Sequence, residues 1–512
     1  MGKNVLRSGL LSRFVNGKGI VPSVFCVLSL VLILILYSYR YFVYPVPQGW
    51  DTAYYLESLR GMGVDFFESF SSLDSIFGLP LRGRPLFFLV LYSVNLVVGC
   101  EEVTLMVLPI IFAVLYAFVT YEFVLVGTDN KLVAGLAMVL APLSYFMVRL
   151  SFDLYNNFFS LIFVLLFLTV FIKVMRNASR RNLLLGCILF SALVLVHVWT
   201  WMVFLVILVS FAFIQFVRGQ KNSQKNLFTI VLIILPSIII GLIMISLVPS
   251  IIPFTSCSFF SFPYSWYWVA VKESPFLLIP AVYGLYLFFT KNSHFTNLIV
   301  TWVLVLSLLI FVTGFNDSYR FYILYPVGVL AAFGAYDMIG GADGFLHKRF
   351  KFRKRGFLLY VFVPVVFCLL VFSSTLPEAF DGMYLQRPNS LAMMQIYWIY
   401  WVYGYDNGNI IVLVYDSPAE PLEYSWSSHI EGWTRAYIGF DSIYFGNLTG
   451  LLEGYPDSFG RNFDPGNKTI ILASELYRLT PLELSMSEEV VCLGIYVVTS
   501  KNVSGDCLGF CI

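Results

Sequence analysis

Five residues have the type and the setting to do chemistry. Asp51 lies in Pro47-Gln48-Gly49-Trp50-Asp51-Thr52-Ala53-Tyr54-Tyr55, and Asp153 in Arg149-Leu150-Ser151-Phe152-Asp153. Both border long apolar runs, where a carboxylate inside hydrocarbon costs about 2.5–3.5 kcal/mol. Two such acids at one membrane face can serve as base and orienter, or hold a metal. A helix cap or a solvated loop charge is the plainer account of each. Arg84, in Leu81-Arg82-Gly83-Arg84-Pro85-Leu86, and Arg320, in Asn316-Asp317-Ser318-Tyr319-Arg320-Phe321-Tyr322, bring guanidinium groups to the same kind of border. A guanidinium there suits a lipid-linked phosphate, whereas snorkelling to headgroups needs no substrate. His197, in His197-Val198-Trp199-Thr200-Trp201, can contact a substrate, donate to a phosphate, or be satisfied by a neighbouring carbonyl.

Other chemistries leave no mark. The four histidines are widely spaced, and there is neither an HExxH nor a paired CxxC pattern. No Gly-rich phosphate loop with Lys-Ser/Thr occurs, so ATP is not expected. The residues fix no cofactor, and a divalent metal stays open. Cys492, Cys507 and Cys511 allow one disulfide whose pairing the sequence does not decide.

The elements that position these residues must be dissolved in lipid. Of 512 residues, 59% are apolar and only 12% charged, with a mean hydropathy of +0.81. Soluble domains carry about a quarter charged residues, so a soluble enzyme, a disordered chain and a nucleic-acid binder are excluded. Charge is uneven: residues 376–512 hold 16 acidic and 6 basic side chains, the rest 14 acidic and 26 basic. A membrane body over 1–374 followed by a water-exposed acidic domain over 375–512 accounts for this.

Spans are expected at 20–44, 103–126, 132–148, 154–172, 183–217, 227–248, 276–290, 297–313, 321–339 and 357–374. The first is a retained helix with a basic, cytoplasmic flank, and not a cleaved leader. The 183–217 run would reach about 52 Å as one helix against a core of about 30 Å, so it is two spans turning at 197–201. That makes eleven. The short stretch Pro85–Val98 is expected as an interfacial helix, because a crossing there would turn the basic runs 173–181 and 348–355 outward. Long outer loops then cover about 45–102 and 249–275. Ten of the fourteen acids before residue 376 fall on the outer side, Asp51 and Asp153 among them. In the tail, Asn409–Asp416, Thr469–Ala473 and Val490–Thr499 read as buried strands of a small α/β domain.

This order of features resembles the GT-C membrane glycosyltransferases, in particular the branch of protein O-mannosyltransferases and lipid A aminoarabinose transferases. The resemblance rests on Asp51-Thr52-Ala53-Tyr54-Tyr55 opening the first loop, and on Gly83-Arg84-Pro85-Leu86 through Gly99-Cys100-Glu101 around a surface helix. It rests further on Arg149 to Asp153, and on Arg320-Phe321-Tyr322-Ile323-Leu324-Tyr325-Pro326 at the mouth of a span. It covers roughly residues 20–340. The chain departs from the family where Thr52 follows Asp51 in place of a second acid, and where Arg84-Pro85-Leu86 replaces a Lys-Pro-Pro-Leu form. No Trp-Trp-Asp-Tyr-Gly element is present.

The resemblance implies an all-α polytopic membrane fold, GT-C-like, with an extracytoplasmic C-terminal domain. It implies a polyprenyl-phosphate sugar as donor, a glycan, lipid or protein as acceptor, and inverting transfer on the outer side. Asp51 and Asp153 would be catalytic; Arg84, Arg320, Tyr54 and His197 would bind substrate. A transporter or lipid flippase is the rival class, and would show charges or broken helices at mid-span. A non-catalytic scaffold that binds a partner through its outer domain is the other.

Overall fold

The computed structural model describes residues 20–43, 47, 50–69, 84–177, 179–217, 223–247, 274–291, 293–312, 321–350 and 362–386, and five strands between 410 and 498. Arg320, the loop 251–273 and the tail cysteines lie outside the described residues, as do the side chains of Asp51 and Asp153. Two compact units make up the chain: Met1–Pro47 with Asp65–Met383, and Gln48–Val64 with Tyr384–Ile512.

Helices occupy the stretches where spans were expected. The helix α1 (Ile20–Val43) turns Phe25, Ser29, Leu32, Ile33, Leu36 and Tyr37 inward and leaves Val27, Val31, Leu34 and Phe42 exposed. That one-sided burial at helical spacing is how a lipid-facing helix joins a bundle. The helix α2 (Trp50–Ser69) belongs to the second unit as far as Val64. The helix α3 (Pro85–Val98) is where the surface helix was expected: Pro85 opens it, and Gly99, at φ 76°, closes it with an N–H donated to Asn95 O at 2.7 Å. Its Phe87, Phe88 and Leu91 are buried, and it packs on α4 (Glu101–Thr128), whose first turn carries Glu101 and Glu102 at the positive end of the helix dipole.

A tight link joins α4 to α5 (Lys131–Leu140). Asp129 takes a left-handed conformation at φ 56°, and the Asn130 side chain accepts from the N–H groups of Leu132 (3.0 Å) and Val133 (3.3 Å). The expected span 132–148 is not one helix. It breaks after Leu140 and resumes as α6 (Tyr145–Asp153), with a bend of 48°. Pro142 is the cause: it has no N–H for the carbonyl of Met138 and its ring clashes with that turn. The first helix repairs the damage. Ser29 Oγ donates to Met138 O (3.1 Å), and Tyr37 Oη donates to Pro142 O (2.8 Å).

The helix α7 (Tyr155–Arg176) is buried along nearly its whole length and packs on α4, α6 and α8 (Arg180–Val196). The expected turn over 197–201 is narrower than that: only His197 is non-helical, and α9 (Val198–Val217) starts at the next residue. The helix α10 (Ser223–Leu247) lies on α8 and α9, and Trp201 Nε1 donates to Ser237 Oγ at 3.1 Å. There follow α11 (Pro275–Thr290), α12 (His294–Val312), α13 (Val327–Phe350) and α14 (Val363–Gln386). The span expected from 321 is interrupted: Phe321 and Tyr322 are helical, residues 323–326 are not, and helix resumes at Val327, because Pro326 favours the first helical turn and restricts the residue before it. The helix α14 runs through the boundary expected at 374. Glycines let α11 and α13 approach closely: a Cβ on Gly334 of α13 would lie 1.9 Å from Pro280 O, and one on Gly284 of α11 would lie 2.0 Å from Leu330 O.

By length and hydropathy, four helices among the described residues can each cross a membrane: Glu101–Thr128, Tyr155–Arg176, Val198–Val217 and Asn226–Ser246. The bent pair α5–α6 makes a fifth if it is one span, and six shorter apolar helices accompany them.

In the second unit the strands β1 (Ile410–Val414), β2 (Ile443–Phe445), β3 (Thr469–Ala473), β4 (Glu488–Val491) and β5 (Ile495–Val498) form one sheet in the order β2-β1-β3-β5-β4. β1 is parallel to β2 and β3, while β5 is antiparallel to β3 and β4. The segment expected as one strand over 490–499 is thus two paired strands. Residues 492–494, between them in sequence, lie outside the described residues.

Candidate functional site

The first turns of α7 read Tyr155-Asn156-Asn157-Phe158-Phe159-Ser160, and all three polar side chains, Asn156, Asn157 and Ser160, are buried. Polar groups in an apolar bundle must find partners. Ser160 Oγ donates to Asn157 O (2.7 Å) and lies 3.0 Å from Thr200 Oγ1. Thr200 Oγ1 lies 2.7 Å from His197 Nδ1, and the Thr200 N–H approaches the same nitrogen at 3.3 Å. His197 itself, 8% exposed, is the joint of two helices. Its N–H donates to Leu193 O at 2.9 Å, closing α8, and its carbonyl accepts from Trp201 N at 3.1 Å, opening α9.

Aromatic contacts bring other expected elements to this joint. Trp199 sits 6.3 Å from the His197 ring and packs on Phe321 at 4.9 Å, the residue after Arg320. Tyr322 packs on Phe146 of α6 at 6.0 Å, and α6 ends at Asp153, two residues before α7 begins. Phe87, three residues after Arg84, meets Phe159 at 6.3 Å, beside Ser160. Arg84 is half-buried at the N-cap of α3, with its carbonyl accepting from Phe88 N at 3.2 Å. The backbone elements that carry Arg84, Asp153 and His197, and the chain just after Arg320, therefore meet at the starting end of α7.

Asp51 and Tyr54 belong to the other unit. They are the second and fifth residues of α2, where Thr52, Ala53, Tyr55 and Leu56 are buried and Tyr54 is half-buried. Among the described residues, no group of three His, Cys, Asp or Glu side chains gathers to hold a metal. A cavity of about 300 Å³, lined by Asn130, Lys291, Thr296, Phe333 and Asp337 among others, lies elsewhere. It adjoins the far end of α7, where Arg176 donates to Gly127 O at 2.9 Å. Sixteen residues of helix, about 24 Å, separate that end from Ser160.

No family model matches the sequence, and no curated protein matches it. Solved structures do. The chain superposes on ArnT from Cupriavidus metallidurans in the apo state with a TM-score of 0.58 at 11% identity, covering 93% of this chain and 97% of that one. The form of ArnT bound to undecaprenyl phosphate gives 0.55 at 10% identity, with the same coverage. AglB, the archaeal oligosaccharyltransferase of Archaeoglobus fulgidus, in complex with an inhibitory peptide and a dolichol-phosphate, gives 0.57 at 12% identity, over 89% of this chain and 70% of that one. The chain has the GT-C fold. It is a multi-pass membrane protein.

Within the GT-C fold the hydroxyl pair Ser160 and Thr200 is the part that sequence reading missed. Asn156, Asn157 and Ser160 opening an apolar run were a visible signal. The partner across 40 residues was not, because the Ser160–Thr200 contact exists only once α7 and α9 are packed.

Proposed function

We propose that this protein is an integral membrane glycosyltransferase that moves a sugar, with inversion, from a polyprenyl-phosphate donor to an acceptor on the extracytoplasmic side. The observation that carries the proposal is the GT-C fold over 93% of the chain, shared with a protein solved with undecaprenyl phosphate. The convergence of the Arg84, Asp153 and His197 elements supports a site at the starting end of α7. In this reading eleven spans place the N-terminus in the cytoplasm, and the acidic C-terminal unit is an extracytoplasmic α/β domain.

The chemistry follows from where charge develops. Transfer gives the sugar oxocarbenium character while negative charge grows on the departing phosphate. Arg84 and Arg320 stabilise that charge, an electrostatic contribution that is large where water is excluded. Asp51 takes or orients the acceptor proton, Asp153 assists it or positions the first loop, and Tyr54 lines the approach. The donor tail stays in the bilayer, and a lipid carrier supplies activated sugar where no nucleotide sugar is available.

Asp51→Asn in vesicles supplied with undecaprenyl- or dolichyl-phosphate sugars is expected to lower transfer by about 100-fold or more. Unchanged transfer removes the role given to Asp51. A cysteine replacing Ser458 is expected to react with an impermeant maleimide from outside intact cells; protection there, with labelling only after lysis, overturns the orientation.

A further inference from the structure

We infer that the cavity at the end of the bundle away from Ser160 and Thr200 holds the headgroup of a phosphoethanolamine lipid, with its phosphate on Lys291 and its ammonium on Asp337. The inference is separate from the proposed reaction and needs only the membrane fold. It follows from two opposite charges that line one cavity and do not meet.

Helix ends surround this space of about 300 Å³: α4 closes at Thr128 and α11 at Thr290, while α5 opens at Lys131 and α12 at His294. Apolar helices start and stop where hydrocarbon meets headgroups, so the cavity lies at headgroup depth. The helix starts are already capped. Asn130 accepts from Leu132 and Val133, the Thr296 N–H donates to Ser293 Oγ at 3.1 Å, and the Ser293 N–H donates to Thr296 Oγ1 at 2.9 Å. The side-chain charges remain. Arg176 and Asp129, at the same end of the bundle, pair with each other at 3.5 Å. Among the described residues neither Lys291 nor Asp337 is ion-paired, although both line the cavity. An aromatic side chain engages each of them instead. Lys291 Nζ stands over the Phe333 ring, 5.9 Å from its centre, and Asp337 Oδ2 accepts from Tyr283 Oη at 2.8 Å. Phe333 and Asp337 are one turn apart on α13, which sets the two charges side by side along one wall.

A ligand for this wall must satisfy both charges. Lysine has three N–H donors, and a carboxylate keeps lone pairs after accepting from Tyr283. A purely anionic group is drawn to Lys291 and repelled by Asp337; a purely cationic one meets the reverse. A phosphate joined by a short link to a primary ammonium makes charge-assisted hydrogen bonds with both. A trimethylammonium group has no N–H to give Asp337. Such a zwitterion is found on a lipid or free in water as a phosphoethanolamine ester. The lipid is favoured by α11, where Ile279, Val282, Tyr286 and Phe289 are each more than half exposed. Their helical spacing makes an apolar stripe for acyl chains that ends beside Lys291. In the orientation proposed above, this is the cytoplasmic leaflet.

Native mass spectrometry of the full-length protein in detergent micelles reads the first lipid bound. Phosphatidylethanolamine, phosphatidylcholine and phosphatidylglycerol with the same acyl chains are titrated separately. Lipids around the outside of the bundle bind wild type and variant alike, so the change on substitution is the signal. Wild type is expected to bind phosphatidylethanolamine about tenfold more tightly than either of the others. Lys291→Gln is expected to remove that preference by weakening phosphatidylethanolamine. Asp337→Asn is expected to weaken it too, and to tighten phosphatidylglycerol, because the repulsion of an anionic headgroup leaves with the carboxylate. A wild type that is indifferent to headgroup or prefers phosphatidylglycerol overturns the inference, and this comparison needs no variant. A preference that survives both substitutions overturns it as well. Phosphatidylcholine bound as tightly as phosphatidylethanolamine removes the N–H contact to Asp337. Glycerophosphoethanolamine, the headgroup without its chains, is expected to leave the bound lipid in place at equal concentration; displacement overturns the assignment to a lipid. No sugar is transferred in these titrations, so their failure leaves the proposed reaction standing, and a wild type that transfers nothing leaves this site standing.

Discussion

Replacing Gly334 with alanine adds one carbon at the crossing of α11 and α13. That carbon would lie 1.9 Å from Pro280 O and 2.8 Å from Pro280 C, and ordinary contact begins near 3.4 Å. The obstacle is backbone on a neighbouring helix, so it cannot swing aside as a side chain does; the helices must part by about 1.5 Å. The present approach puts the Gly334 Cα within about 3.4 Å of that oxygen, the range of a Cα–H···O contact worth about 0.5–1 kcal/mol. Gly284 makes the matching approach to Leu330 O. Parting the helices forfeits both contacts and adds an overpacking cost of about 1–3 kcal/mol, against about 1 kcal/mol gained from alanine's helix propensity. The net expectation is a loss of about 1–4 kcal/mol. Gly340→Ala, six residues on in α13 with nothing within 4 Å of the added carbon, keeps only the propensity gain and is expected to be neutral or stabilising. Unfolding in mixed micelles with increasing SDS, followed by tryptophan fluorescence, measures both. The double substitution at Gly284 and Gly334 is expected to cost less than the sum of the singles, because one separation relieves both clashes. Equal signs for Gly334→Ala and Gly340→Ala, or a Gly334→Ala protein as stable as wild type, refute the reasoning.

Two further effects follow from the same bundle. Tyr37→Phe removes the donor to Pro142 O and is expected to cost about 0.6 kcal/mol and no more than about 1.7 in the same titration, the mean and the maximum for hydrogen bonds in a membrane bundle. Asn130→Ala removes the acceptor for two amides at the start of α5 and is expected to cost about 1 kcal/mol, with Asn130→Asp recovering most of it.

Much of the architecture could be read from residue order, and the failures share a cause. The bounds of α3 were legible because Pro85 and Gly99 act through local backbone geometry. The split near His197 was legible because one helix of 35 residues outreaches a bilayer. The break at Pro142 was visible as a proline, yet the apolar run on both sides outweighed it, and the repair came from Ser29 and Tyr37 more than 100 residues earlier. The grouping of Gln48–Val64 with the C-terminal residues has no local signal at all. At the candidate site, Arg84, Asp153 and His197 announced themselves as polar groups at the ends of apolar runs. Ser160 and Thr200 did not, because small hydroxyls are common in membrane helices and become informative only when packing sets them 3.0 Å apart.

The repaired break also constrains how the chain is made. Tyr37 and Pro142 lie 105 residues apart, so the first helix leaves the ribosome long before the carbonyl it must satisfy exists. At about 5–20 residues per second, that interval is about 5–20 s. Throughout it the carbonyls of Met138 and Pro142 that Ser29 and Tyr37 bond in the finished bundle have not been made, so the kink can be braced only after the first helix is already complete.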